Sequence, residues 1–281
     1  MKKTIFFITG IFLIFIDGTG IFLPFGNAVV YSEGNTTSRN CINLNQEQLL
    51  EDEDTNVSNR KSYVALLDES VHEHIANYWS DKGIERYHLR IPIYENYFLW
   101  VASWIYPSIF KKYEFSDYNK AIERGLGLCS EHAIIITGIL NHKGIESKII
   151  RLPGHVVATA LVEETKNEWW TLDPTYGVTI PYNIQQIEQN PNMIGAYYSD
   201  RGYSKKQIEN LLNMYKKGAL SISDVRKYDS HIKSYALKYY LEKITYLLKW
   251  GLPLLLVLPF LKRIIKEKMN FGYRKSTERE R

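Results

Sequence analysis

Cysteine is scarce in this chain of 281 residues: there are two, Cys41 and Cys129. Two thiols close at most one disulfide, so no multi-bridge framework organises the fold. Cys41 lies in a polar stretch that reads as a linker, and no lipid-attachment pattern precedes it, so Cys129 is expected to be a free thiol. An excess of one charge is missing too. The net +4 sits at the ends, with +1 in residues 1–30 and +5 in residues 262–281, which leaves −2 between them. A mildly acidic middle carries no nucleic-acid footprint, and no nucleic-acid partner is expected. Metal-ligand spacing is absent as well. His72 and His74 would face one ion only from an extended strand, and that region reads as helix. His132 lies one turn from Cys129, but no second Cys or further His completes a set. No internal repeat is present.

What the chain does have is apolar ends. Met1-Lys2-Lys3 followed by Ile5 to Ile16 has the charged and apolar regions of an export signal, interrupted by Asp17 and followed by a second apolar stretch, Ile21 to Val30. The segment reads as a signal peptide cut after Gly18-Thr19-Gly20 or Gly26-Asn27-Ala28, or as an uncleaved anchor. Cleavage is preferred, because a carboxylate in mid-bilayer costs at least ~2.5 kcal/mol. Near the other end, Ile244 to Leu261 holds a single charge, Lys249, and extension through Ile265 gives enough length to span hydrocarbon. Lys249 can snorkel, Tyr246 and Trp250 suit the outer interface, and Lys262, Arg263, Lys266 and Lys268 supply a positive inner flank. A buried core helix interrupted by Pro253 and Pro259 is the competing reading.

These features divide the chain into a signal or anchor at 1–30, a flexible Asn/Ser/Thr/Glu-rich lead-in at 31–60, a folded domain at 61–185 and a helical extension at 186–243. A transmembrane helix at 244–265 and a basic cytoplasmic tail at 266–281 complete it. Residues 61–80 read as helix, and Tyr87 to Tyr106 as a buried helix that Pro107 ends. Ser116-Asp117 caps a short helix through Arg124, and Gly125 to Leu128 turns into a helix beginning at Cys129, which Gly144 closes. Strands follow near 147–152, 155–162 and 168–173. Ser204-Lys205-Lys206-Gln207 has the form of a capping box, with Ile208, Leu211, Leu212 and Tyr215 on one helix face, and residues 223–250 read as a long helix.

The order Cys129, His155, Asp173 is that of a thiol acyl-transfer site. A free thiol, with a pKa of about 8.5, is mostly protonated at neutral pH and needs a positive helix end or a base beside it. An imidazole moves the proton, and a carboxylate fixes the ring's tautomer. Taken alone, Cys129 or His155 would also pass as a core residue. Their spacing adds a condition. If Glu163 to Asn167 forms a hairpin loop of three or five residues, odd positions face odd positions, and His155 and Asp173 share a face. A slip of one residue separates them.

Gly125-Leu126-Gly127-Leu128-Cys129-Ser130-Glu131-His132-Ala133, then Lys143-Gly144-Ile145-Glu146-Ser147-Lys148, Gly154-His155-Val156 and Trp170-Thr171-Leu172-Asp173-Pro174-Thr175-Tyr176-Gly177 resemble the core of the transglutaminase-like superfamily. The resemblance covers roughly residues 95 to 180. It implies an α+β, papain-like core with the nucleophile helix on an antiparallel sheet, with Cys129 as nucleophile, His155 as base and Asp173 as orienting acid. Leu128 stands where the family often has Trp, and Trp100 and Trp104 are candidates for an upstream aromatic at the oxyanion site. The expected function is a membrane-anchored, extracytoplasmic thiol enzyme that acts on amide or peptide bonds of a protein or peptide substrate, with hydrolysis preferred over amine transfer. It needs no cofactor and no metal. The alternatives are an inactive binding or assembly module at the membrane, or an enzyme whose terminal apolar stretches are only packing elements.

Overall fold

The computed structural model describes residues 2–23, 25–26, 59–224 and 235–279. The lead-in as far as residue 58, Cys41 and the cleavage position at Asn27-Ala28 lie outside the described residues. In chain order the helices are α1 (Lys2–Phe22), α2 (Arg60–His74), α3 (Tyr97–Ile105), α4 (Pro107–Phe110), α5 (Tyr118–Arg124) and α6 (Cys129–His142). α7 (Ile184–Gln189), α8 (Gly195–Asp200), α9 (Lys205–Lys216) and α10 (Tyr235–Arg279) follow. The strands are β1 (Ala76–Asn77), β2 (Leu126–Gly127), β3 (Ser147–Leu152), β4 (His155–Glu163), β5 (Glu168–Asp173), β6 (Val178–Ile180) and β7 (Ser221–Ser223). The protein is mixed α/β, with an antiparallel sheet and an apolar helix near each end. Contacts divide it into two compact units: Met1–Pro24, Arg90–Lys111 and Tyr240–Arg281 in the first, Phe25–Leu89 and Lys112–Tyr239 in the second.

The second unit is built on a five-stranded sheet in the order β6-β5-β4-β3-β7. β3, β4 and β5 lie where their Val/Ile/Trp-rich runs predict. β6 and β7 are three residues each, too short to show an alternation in sequence. Pro153-Gly154 joins β3 to β4, with Gly154 at φ +92°, a conformation open to glycine. Leu152 therefore pairs with His155 at the very start of β4. β4 is buried on both faces. Val156 belongs to a cluster with Ala133 and Ile134 of α6, onto which Cys129 packs, whereas Val157 belongs to one with Ile184, Ile187, Tyr198, Leu211 and Tyr215 of the helical extension. α7 to α9 thus bury their apolar stripes on the same sheet that carries the site. Ser204 caps α9 through the predicted capping box.

The β4–β5 hairpin corrects one expectation. Its closing pair is Glu163 with Glu168, which leaves a loop of four residues rather than three or five, and that count alone would set odd against even positions. A bulge between Leu161 and Glu163 adds one residue to β4, and from Leu161–Trp169 onward odd again faces odd. His155 and Asp173 consequently share parity.

In the first unit α1 and α10 run antiparallel. Phe7 stacks on Phe260 with ring centroids 4.3 Å apart, Gly10 lies against Val257, and the buried Asp17 meets the charge of Lys249. A Cβ at Gly10 would come within 2.7 Å of Val257 Cγ2 and 3.0 Å of Leu256 Cβ, so the close helix approach requires glycine there. The polar segment before α3 fastens to α10: Lys249 Nζ donates to the Glu95 carbonyl at 2.7 Å, Tyr246 OH to Glu95 Oε1 at 2.7 Å, and Asn96 Nδ2 to Thr245 Oγ1 at 3.2 Å. The long buried helix expected over Tyr87 to Tyr106 is not formed. Pro92 and the Asn96 side chain, which accepts from the Phe98 and Leu99 amides, restrict the helix to Tyr97–Ile105, and much of it is exposed. α1 and α10 are both long and apolar enough to cross a membrane.

Candidate active site

The site is set at the start of α6. α5 ends at Gly125, whose left-handed φ of +74° reverses the chain into β2. β2 pairs in parallel with β1, and Tyr78 N–H donates to the Gly127 carbonyl at 3.1 Å. Cys129 is then the first residue of α6, and no side chain caps that helix, so the thiol occupies the positive end. Cys129 is a free, half-buried thiol.

The turn into α6 rests on a buried ion pair. Arg124 and Glu131 have side chains with no exposure, and the Arg124 guanidinium binds the Glu131 carboxylate. Glu131 also accepts from the Phe115 amide at 3.0 Å, and Arg124 donates to the Tyr113 carbonyl at 2.6 Å and the Leu126 carbonyl at 3.2 Å. Burial pushes the Glu131 carboxyl up to about 7, against the lowering pull of Arg124. Gly127 has no room for a side chain because the Glu131 carboxylate lies where its Cβ would be. Ser130 donates to Glu114 on the same turn.

Of the residues singled out from sequence, the structure brings Cys129, His155 and Asp173 together. His155 Nε2 lies 2.9 Å from Asp173 Oδ2, with 6% exposure on the ring and none on the carboxylate. The Cys129 sulfur lies close enough to the ring to add to the same charge balance. Burial alone would lower the His155 pKa. The Asp173 charge and hydrogen bond, joined by the Cys129 sulfur, override it and lift the value to about 10. The pairing with Asp173 thus favours the protonated form of the ring, the form that can stabilise an anion beside it.

His132 and the His72/His74 pair are engaged elsewhere. His132 Nδ1 lies 2.8 Å from the Leu128 carbonyl and Nε2 lies 2.9 Å from that of Ile75, and burial lowers its pKa. His72 Nδ1 meets the Thr175 carbonyl at 3.1 Å and its ring fills the space beside Gly177, supporting the turn that follows Asp173. His74 meets the Ser70 carbonyl at 2.7 Å. Trp100 and Trp104 belong to the first unit, where they meet edge to face at 6.1 Å.

Sequence reasoning missed three tyrosines. Tyr198 of α8 donates to Asp173 Oδ2 at 2.8 Å and contacts Tyr215 OH of α9 at 3.1 Å. Burial, and then the Asp173 charge, push both hydroxyls well above the ordinary tyrosine range, so they remain neutral donors. Tyr176 stands edge-on to the His155 ring at 5.5 Å. Tyr215 lies on the apolar stripe predicted for α9, but a stripe cannot reveal that its hydroxyl faces a second tyrosine. Tyr198 had no such signal.

Comparison with family models, with curated proteins and with solved structures gives no match. The chemistry therefore rests on the arrangement of these side chains.

Proposed function

We propose that the protein is a membrane-anchored thiol acyl-transfer enzyme with a transglutaminase-like, papain-like core, acting on amide or peptide bonds of a protein or peptide outside the cytoplasm. The observation that carries this reading is the buried His155–Asp173 pair at 2.9 Å with the Cys129 sulfur beside the ring. The Cys129 thiolate attacks the carbonyl carbon, and the C–N bond breaks as the His155 imidazolium gives its proton to the leaving amine. Water, deprotonated by the now neutral His155, then cleaves the thioester and releases the acid. Asp173 keeps the ring in one orientation through both steps. Hydrolysis is preferred to amine transfer because water needs no acceptor cleft.

The first unit supports the anchor. The antiparallel packing of α1 on α10 favours a retained α1 over a cleaved signal, and Asp17 is buried within the protein, under the attraction of the Lys249 charge, rather than left in lipid. It also brings Lys2 and Lys3 to the same end as Lys262, Arg263 and Lys266, a positive-inside arrangement that leaves residues between the two helices on the outer side.

Iodoacetamide labelling of the full-length protein in detergent tests the chemistry. Fast, pH-dependent alkylation of Cys129 that slows when His155→Ala is introduced supports the enzyme. Equal, slow labelling of Cys41 and Cys129 would instead favour a binding or assembly module that keeps the fold without turnover.

A further inference from the structure

Fourteen residues from Tyr97 to Phe110, covering α3, Tyr106 and α4, contain no charged side chain. In the folded protein the segment buries Tyr97 and Leu99 but leaves its other large apolar groups at least partly open. Val101 is 45% exposed, Trp104 59%, Ile105 62% and Tyr106 62%, and these residues fall within six consecutive positions. Soluble surfaces rarely gather so many large apolar groups unless something covers them.

The position of the segment within the first unit identifies the cover. Asn96 and Tyr97, at its start, hydrogen-bond to Thr245 and to the Lys249 carbonyl, at 3.2 Å in each case. The Tyr94 carbonyl lies directly over Gly20 near the end of α1. Thr245 and Gly20 mark the same end of the two apolar helices, the end at which α1 finishes and the apolar run of α10 begins. A short uncharged helix fastened at that level, with Trp and Tyr on its open face, has the composition and depth of an element lying in the lipid headgroup region.

We propose that Tyr97–Phe110 is a membrane-surface platform, its face of Val101, Trp104, Ile105 and Tyr106 covered by phospholipid rather than by protein. The proposal rests on the membrane reading of α1 and α10. It goes beyond that reading by making a third segment lipid-bound, so that residues 90–111 are held flat on the bilayer.

Tryptophan quenching tests it in the full-length protein reconstituted into phosphatidylcholine vesicles whose acyl chains carry bromine at a shallow position. The exposed Trp104→Phe substitution is expected to leave the fold intact and to remove a quenched component from the emission of the six tryptophans. Trp169→Phe, in the second unit, serves as the comparison and removes none. A Trp104 component that bromolipid leaves unchanged while aqueous iodide quenches it would overturn the proposal. So would a component shielded from both quenchers, which points to a second copy or another protein on this face. Release of the protein by carbonate extraction would instead remove the membrane reading itself.

Discussion

The Tyr198 hydroxyl donates to Asp173 Oδ2 at 2.8 Å, the same oxygen that His155 Nε2 holds at 2.9 Å. Two donors converge on one buried carboxylate oxygen, and one of them comes from the helical extension rather than from the strands. The orientation of the His155 ring thus depends on α8 and, through Tyr215, on α9.

Tyr198→Phe removes that donor without changing the buried ring volume. Losing one hydrogen bond of ordinary worth predicts a fall of about tenfold in the Cys129 alkylation rate or in turnover. Asp173, relieved of a donor, becomes the stronger partner of His155. The alkaline limb of the rate profile should therefore move to higher pH, whereas a merely structural loss would lower the rate at every pH alike.

Asp173→Asn acts in the opposite direction. The raised His155 pKa depends on the carboxylate charge, so the alkaline limb should move from about 10 down toward the ordinary imidazole value. Turnover should fall on the order of a thousandfold or more. The same ionisation links to stability. A histidine whose pKa rises on folding adds stability that is complete below its unfolded value of about 6.5 and disappears as pH rises through about 10. Thermal melting between those limits should decline with pH in the parent protein, and the slope should flatten in His155→Gln.

Arg124→Met strips the fully buried Glu131 of the guanidinium it binds, at a cost of about 3–5 kcal/mol. Glu131 already stands near 7, so the loss should be smaller at pH 6, where the carboxyl can protonate, than at pH 8. Denaturant melts at the two values test this. Arg124→Met combined with Glu131→Leu should recover part of the loss.

Cysteines in place of Phe7 and Phe260, in a background with Cys41→Ser and Cys129→Ser, should be joined in membranes by a short bifunctional thiol reagent, because the parent side chains stack across the two helices. Gly10→Leu should abolish the cross-link by forcing α1 away from Val257. Mass analysis of the purified chain decides the retention of α1: a mature protein that begins after residue 22 would contradict it.

Local pattern made much of this legible. β-rich runs placed β3, β4 and β5, Asp117 and Ser204 announced their helix starts, and the order Cys129, His155, Asp173 selected the residues that meet. These signals are local because capping and strand alternation operate over a few residues. The long helix expected over Tyr87 to Tyr106 failed because apolar density was taken for burial, whereas Pro92 and Asn96 confine the helix and one of its faces is exposed among the described residues.

By itself, the sequence determined the apolar ends, the strands of the hairpin and the identity of the thiol, imidazole and carboxylate, each through short-range chemistry. Tertiary structure alone decided that they converge. A one-residue bulge at Leu161–Glu163 repaired a strand register that the loop length would have broken, and Tyr198 reached Asp173 from 25 positions downstream. Phe7 and Phe260 likewise stack only because two distant helices pack antiparallel. Such pairings are set by packing between remote segments, and no local periodicity encodes them.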